Sequence, residues 1–325
     1  MTAKKYKVVA VDGYFPNYDA ELEALAPADA ELVVLQCKTS EEVIEAVRDA
    51  DGVLLNMTPI KADEIAAMTK CKCISRYGIG YNNLDVDACT AKGIWAARVT
   101  HYGADESVSD QAVALLLDCI RKTTAKHTRI ADGEWRLMKD YKINTVKGST
   151  VGVIGLGHIG RAFVRKMAAF LPKEIIGYDP NRSVEEMKQH GVRKVELDEL
   201  LVKSDFISVH CSENETSIHM LNEAAFSKMK KNAIVVNTAR GAIIDEAALI
   251  KALTENEINS AGLDVFETEP LSVESPLRKL KNVVLADHSG WYSEETFNTL
   301  KSLTAQNVAN VLMGKAPLFP LNEIK

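Results

Sequence analysis

Short apolar, β-branched runs recur along the first hundred residues, at Lys7–Val11, Leu32–Leu35, Gly52–Asn56, Cys71–Ser75 and Ile94–Ala97. Between them lie segments with helix-like spacing: Tyr18–Leu25, Ser40–Ala50, Lys61–Met68 and Asp85–Ala91. Short apolar strands alternating with such segments predict βαβ units and a parallel sheet. Ser40, followed by Glu41 and Glu42, reads as an N-cap with an acidic first turn. The pattern then changes. Ala104–Thr128 reads as one long helix, with apolar positions at Val108, Ala112, Leu115, Leu116 and Cys119. A second alternation follows, with strands expected at Thr150–Ile154, Glu174–Tyr178, Asp205–His210, Ala233–Asn237, Ser260–Val265 and Val283–Leu285. The segment Ser293–Met313 is helical again and free to return to the first unit. No solenoid-period repeat or low-complexity linker interrupts this plan.

Composition narrows the class. A chain of 325 residues suggests two domains at roughly 150 residues each. With 46% hydrophobic and 26% charged residues, disorder, collagen-like repeats and coiled coil are excluded as the main architecture. The net charge of −6 provides no basic footprint for nucleic acid. Six cysteines, at 37, 71, 73, 89, 119 and 211, contain no C-x-x-C. They are expected to be free buried thiols rather than a zinc site, as suits a reducing cytoplasm. The apolar run after Lys4, Lys5 and Lys7 stops at Asp12, too short for a signal peptide. The longest apolar stretch, around Val113–Leu117, ends at Asp118, so no transmembrane helix is expected and no membrane partner.

One motif changes the picture most. Gly155-Leu156-Gly157-His158-Ile159-Gly160 follows an expected strand and opens a helix. In that context the first glycine permits a tight turn, and the second lets backbone approach a pyrophosphate. The third allows close helix–strand packing, and the helix N-terminus faces the phosphates. The next strand ends in Asp179, nineteen residues after Gly160, near the spacing of a ribose-binding carboxylate. A carboxylate there repels a 2′-phosphate and favours NAD over NADP, with Arg182 nearby as a counterweight.

Three later segments each end an expected strand: Asn237-Thr238-Ala239-Arg240-Gly241, Asp264-Val265-Phe266-Glu267-Thr268-Glu269-Pro270 and Asp287-His288-Ser289-Gly290-Trp291. Ligands of open α/β sheets bind beyond the carboxyl ends of strands. Arg240, Asp264 or Glu269, and His288 should therefore meet where the dinucleotide lies. Arginine holds a carboxylate in a bidentate fork. Histidine gives a proton to a carbonyl as hydride arrives, and a carboxylate beside it favours the imidazolium.

These motifs resemble the NAD-dependent D-isomer-specific 2-hydroxyacid dehydrogenases over almost the whole chain, most densely from Thr150 to Trp291. The resemblance implies a Rossmann-type NAD-binding domain, residues 102–290, inserted in a flavodoxin-like substrate domain, residues 1–101 and 291–325. The two crossings would suit a hinge closing over cofactor and substrate. It implies reversible reduction of a 2-oxo acid to a (D)-2-hydroxy acid. Arg240 would bind substrate, His288 would be the proton donor, and Glu269 would pair with it. Asp264 would contact the nicotinamide carboxamide, and Thr238, Ala239, Cys211, Ser212, Asn214 and Ser217 would lie along the cofactor. Arg76-Tyr77-Gly78-Ile79-Gly80 resembles the family's substrate loop, whose N–H groups form a nest for the substrate carboxylate.

The chain departs from the usual pattern at His210–Ser217, where a proline, a leucine and two threonines are replaced, and at Asp287, where proline is usual. The His210-Cys211 pair and Trp291-Tyr292-Ser293-Glu294 resemble the C-terminal-binding-protein branch, a NAD(H)-binding group of transcriptional corepressors. A corepressor-like sensor is thus an alternative, as is a 3-phosphoglycerate or hydroxypyruvate (glycerate) dehydrogenase. Trp291 would either wall the substrate side-chain pocket or anchor the last helix. The helix after Ala104 resembles the family's homodimerisation segment, though by itself it is equally a core helix. No metal is expected.

Overall fold

The computed structural model describes residues 5–136 and 143–324. The chain forms two compact units, one running to Gly103 and resuming at Ser293, the other spanning Ala104–Tyr292.

The first unit alternates β1 (Tyr6–Ala10), α1 (Asp19–Leu25), β2 (Ala30–Val34), α2 (Ser40–Val47), β3 (Gly52–Leu55), α3 (Ala62–Ala67), β4 (Cys73–Arg76), α4 (Val86–Ala91) and β5 (Trp95–Ala97). Its five strands are parallel in the order β2-β1-β3-β4-β5, with Val8 opposite Leu32 and Gly52 opposite Cys73. This is the flavodoxin-like order. Val9, Val53, Ile74 and Ala96 are fully buried together in the core.

The second unit begins with α5 (Ala104–Arg121) and α6 (Thr123–Ala131). It continues through β6 (Thr150–Ile154), α7 (His158–Ala168), β7 (Glu174–Tyr178), α8 (Val184–Gln189), β8 (Arg193–Lys194), α9 (Leu197–Lys203) and β9 (Phe206–Val209). Then come α10 (Glu223–Lys228), β10 (Ile234–Asn237), α11 (Glu246–Thr254), β11 (Ser260–Leu263) and β12 (Val283–Leu285). Its seven parallel strands run β12-β11-β10-β9-β6-β7-β8. Counted from β6, this is the Rossmann order with one strand added at the far edge, and its direction reverses between β6 and β9. Buried side chains cover both faces of this sheet.

Finally α12 (Glu294–Leu312) rejoins the first unit, packing on α1, β3 and β4. Gly52 makes room for it, since a Cβ there would come 2.3 Å from Val308 Cγ1. No helix among the described residues is long and apolar enough to cross a membrane.

Two local expectations are corrected and one short strand is added. The single helix expected over Ala104–Thr128 is two, broken at Lys122, whose φ is 55°. The Asp118 carboxylate accepts the Thr124 N–H at 2.8 Å and its hydroxyl at 2.5 Å, starting a new helix. The cap of α2 is Thr39, whose hydroxyl accepts from the Glu42 N–H; Ser40 already lies in the helix. The two-residue strand β8 carries too few residues to show a period.

Candidate active site

The reversal point between β6 and β9 is where a dinucleotide fits the second unit, and its glycines show why. Gly155 has φ +90°, and a Cβ on it would come 2.6 Å from Cys211 N. A Cβ on Gly160 would come 2.2 Å from the Gly155 carbonyl oxygen. Both glycines thus let the β6 turn, the start of α7 and the end of β9 close on one another. Gly157 differs. It is the N-cap of α7, supplies no side-chain cap, and has open space where a Cβ would stand. An anion can therefore approach the amino end of an eleven-residue helix directly.

Asp179, just past β7, is buried and preset by backbone. Its carboxylate accepts from Leu156 N–H at 2.8 Å and Asn181 N–H at 2.9 Å. Arg182 instead pairs with Glu186 at 3.4 Å. The loop Ser212–Ser217 closes on itself, with Ser217 Oγ donating to the Ser212 carbonyl and accepting from Asn214 N–H, both at 2.8 Å. Burial pushes the Cys211 thiol up to about 11, which leaves it a small neutral side chain at neutral pH.

The expected catalytic residues stand at the ends of β10, β11 and β12. His288 Nδ1 lies 2.6 Å from Glu269 Oε2. Glu269 Oε1 accepts from Phe266 N–H at 3.0 Å. Burial raises the Glu269 carboxyl, but the hydrogen bonds from His288 and Phe266 and the charges of His288 and Arg240 outweigh it and hold the carboxyl below its usual range. His288 adopts φ +57°, a strained conformation for a non-glycine residue. It is held there by its N–H on the Asp264 carbonyl at 2.8 Å. Asp264 Oδ2 accepts from Gly290 N–H at 3.0 Å. Burial pushes the Asp264 carboxyl up, the Gly290 and His288 contributions notwithstanding.

Two buried polar atoms here, Asp264 Oδ1 and Thr238 Oγ1, have no hydrogen-bond partner among the described residues. A planar amide presenting both a donor and an acceptor would satisfy both, so the residues present fit a nicotinamide carboxamide. No described group of histidine, cysteine and acidic residues could hold a metal ion.

Sequence reasoning missed the residues that hold this arrangement together. Asn237 is buried, and its side chain donates to the Arg240 carbonyl at 2.9 Å while accepting from Ala239 N–H at 3.0 Å. It fixes the turn that presents Arg240. Gly241 lets that turn press on the next one, since a Cβ would come 1.9 Å from the Phe266 carbonyl carbon. Gly290 is needed because a Cβ would stand 2.8 Å from Asp264 Oδ2. Each sits inside a motif already singled out, and its place beside a functional residue was the available signal.

In the first unit the loop after β4 has Gly78 at φ +100°, with its open side against the Arg76 guanidinium. Its carbonyls are already occupied: Gly78 O accepts from Val99 N–H, Ile79 O from Arg98 Nη1 and Asn82 O from Lys61 Nζ. No backbone acceptor among the described residues takes the N–H groups of Gly78, Ile79 or Gly80.

Residues 113–290 match the family model described as D-isomer specific 2-hydroxyacid dehydrogenase, NAD binding domain. The chain belongs to this family. It is a D-2-hydroxyacid dehydrogenase, an NAD-dependent oxidoreductase of 2-hydroxy acids. A glyoxylate reductase of Korarchaeum cryptofilum is 38% identical over 282 residues, covering 85% of this chain and 83% of the relative. A D-3-phosphoglycerate dehydrogenase of Methanocaldococcus jannaschii is 38% identical over 279 residues, 85% of this chain but 52% of the relative, so this dehydrogenase spans about half of that protein. The solved glyoxylate reductase of Paecilomyes thermophila superposes with a TM-score of 0.86 at 30% identity, covering 100% of both chains.

Proposed function

We propose that this dehydrogenase reduces a 2-oxo acid to the (D)-2-hydroxy acid, with His288 as proton donor, Glu269 as its partner and Arg240 as the substrate-orienting cation. The observation that carries this reading is the 2.6 Å contact between His288 and Glu269. With its Nδ1–H donated to Glu269, His288 presents Nε2 to the substrate oxygen. NADH, when bound, supplies the hydride. Arg240 grips the substrate carboxylate and polarises the carbonyl beside it.

The dinucleotide is assigned to Gly155, Gly157, His158, Ile159 and Gly160 for the pyrophosphate and Asp179 for the ribose hydroxyls. Cys211, Ser212, Asn214 and Ser217 flank it. Thr238, Ala239, Arg240, Asp264 and His288 surround the nicotinamide. Support for NADH over NADPH comes from the Asp179 carboxylate and from Glu186 occupying Arg182. The loop Arg76-Tyr77-Gly78-Ile79-Gly80 is proposed as a carboxylate-binding element, supported by carbonyls already occupied and by N–H groups that no backbone acceptor among the described residues takes. Trp291, edge-on to Tyr292 at 5.7 Å, is proposed to wall the substrate side chain. The free cysteines support a cytoplasmic location. A homodimer through α6 is supported by that helix, which buries none of its residues.

The test is NADH oxidation with glyoxylate, hydroxypyruvate, 3-phosphohydroxypyruvate, pyruvate, and aryl and branched-chain 2-oxo acids, repeated with NADPH. Turnover of at least one acid, faster with NADH, is expected. NADH binding without turnover on any acid would replace this reading by that of a NAD(H)-sensing binding protein.

A further inference from the structure

Beneath the first unit's glycine loop lies an ion pair with no solvent exposure at either end. Lys301 Nζ on α12 stands 3.5 Å from Glu21 Oε2 on α1, and both side chains are 0% exposed. Removing two charges from water costs several kcal/mol per ion, as a general magnitude, so such a pair is weak evidence for stability alone. The lysine end is built for it, whereas Glu21 Oε2 has no hydrogen-bond partner among the described residues and burial pushes the Glu21 carboxyl up. Lys301 donates to the Asn17 carbonyl at 2.8 Å and to Asn17 Oδ1 at 2.7 Å. The Phe297, Phe15 and Tyr18 rings stand 5.1, 5.9 and 5.9 Å from the ammonium, near enough for cation–π attraction.

The other end of the chain of contacts is Tyr77. Its hydroxyl donates to Glu21 Oε1 at 3.0 Å. Its ring is edge-on to Phe15 at 4.9 Å. Its N–H reaches the Leu55 carbonyl at 2.8 Å. Burial and the neighbouring Glu21 carboxylate push the Tyr77 phenol far up, so it remains a donor. The next residue is Gly78, where the backbone turns to φ +100° and the loop begins.

We propose that Lys301 and Glu21 are positioning residues: the buried pair fixes Glu21, Glu21 fixes the Tyr77 hydroxyl, and Tyr77 sets the loop Gly78–Gly80 in the geometry that receives the substrate carboxylate. The inference rests on the reading of that loop as the carboxylate-binding element. It gives the last helix of the chain a part in substrate affinity.

Two double variants isolate the claim. Glu21→Gln with Lys301→Met removes both charges and keeps an acceptor for Tyr77. Glu21→Leu with Lys301→Met removes the charges and the acceptor, a replacement that folded proteins commonly tolerate. Steady-state kinetics with the best 2-oxo acid and a fluorescence titration with NADH are measured on both, on Tyr77→Phe and on Gly78→Ala. In the Leu/Met double and in Tyr77→Phe, the substrate KM is expected to rise on the order of tenfold, as for a lost hydrogen bond to a carboxylate. There kcat should change less than about threefold and NADH affinity should hold. The Gln/Met double keeps the acceptor but loses the pair that fixes it, so its KM should lie between those of the parent and the Leu/Met double, and a KM equal to the parent's would remove Lys301 from the positioning role. If KM rises in Gly78→Ala but stays at the parent value in Tyr77→Phe and the Leu/Met double, the positioning role is overturned while the loop reading stands. If KM is unmoved in Gly78→Ala as well, the loop reading itself has failed. Equal KM values for the two doubles also overturn the proposal, whatever their melting temperatures.

Discussion

His288 shows at the residue scale what the site costs and what it gains. A non-glycine residue at φ +57° is unfavourable by about 1 kcal/mol or more. The conformation persists because Asp264 takes the backbone N–H of His288 and, through its carboxylate, that of Gly290. The strain aims the imidazole, with Glu269 fixing its tautomer. In His288→Gln the amide has no transferable proton, so turnover is expected to fall on the order of 10²–10⁴-fold. NADH binding, followed by fluorescence, should be largely kept. Turnover within a few-fold of the parent would remove His288 from the proton-donor role. The residues proposed to carry chemistry, Arg240, Glu269 and His288, stand out in the sequence because chemistry restricts residue type and these have few substitutes. Asn237 was not, because its work is done through backbone groups of its own turn, and an asparagine after a strand reads as an ordinary turn former.

At the scale of elements, the strands were legible because those buried on both faces are continuous apolar runs, and Val151, Ile207 and Val235 are all buried completely. The break at Lys122 was not. The helical spacing runs on through it, and the interruption comes from the Asp118 cap and from Lys122 Nζ reaching Ser260 Oγ on β11 at 3.2 Å. That contact joins residues far apart in the chain, which no local pattern records. The junction of β9 and α7 carries a pH signature of the same tertiary origin. His210 packs on Phe163 at 4.9 Å, hydrogen-bonds Ser208 through Nε2, and is pushed down to about 3 by burial. The folded state therefore keeps His210 neutral, while the unfolded chain takes up a proton below about pH 6.5. Stability from this residue is fully present above that pH and is lost as pH falls toward 3. The slope is about 1.4 kcal/mol per pH unit, or about 2 kcal/mol between pH 6.5 and 5. Urea unfolding over that interval should show the loss in the parent and a flatter dependence in His210→Gln. Equal slopes in the two proteins would refute it.

For the whole molecule, the strand orders decide where ligands go; the alternation of strands and helices makes parallel sheets legible, but the two units share that alternation and differ in order, so the order itself came from the family resemblance. Assembly beyond one chain was less legible, since a helix that pairs with a second copy has the same amphipathic spacing as one that packs within its own chain. The structure supplies exposure. Trp135 is 91% exposed, and α6 buries nothing of its own. A large exposed aromatic next to an uncovered helix suits an interface with a second copy. Sedimentation velocity should find a dimer for the parent and a shift toward monomer for Trp135→Lys. A parent that sediments as a monomer at micromolar concentration would end the dimer proposal.

The return of α12 to the first unit also orders events on the ribosome. Glu21 is synthesised early, and its cation, Lys301, only after the whole second unit. At about 5–20 residues per second, the 190 or so residues from Ala104 to Tyr292 occupy roughly 10–40 s of synthesis. During that interval Gly52 and the neighbouring strands of the nascent chain lack the helix that covers them, and Glu21 lacks its counter-charge. The nucleotide-binding unit, continuous in sequence, meets no such delay. The later-made half of this enzyme can therefore finish folding first, and the emergence of Lys301 is the moment at which the first unit closes its core.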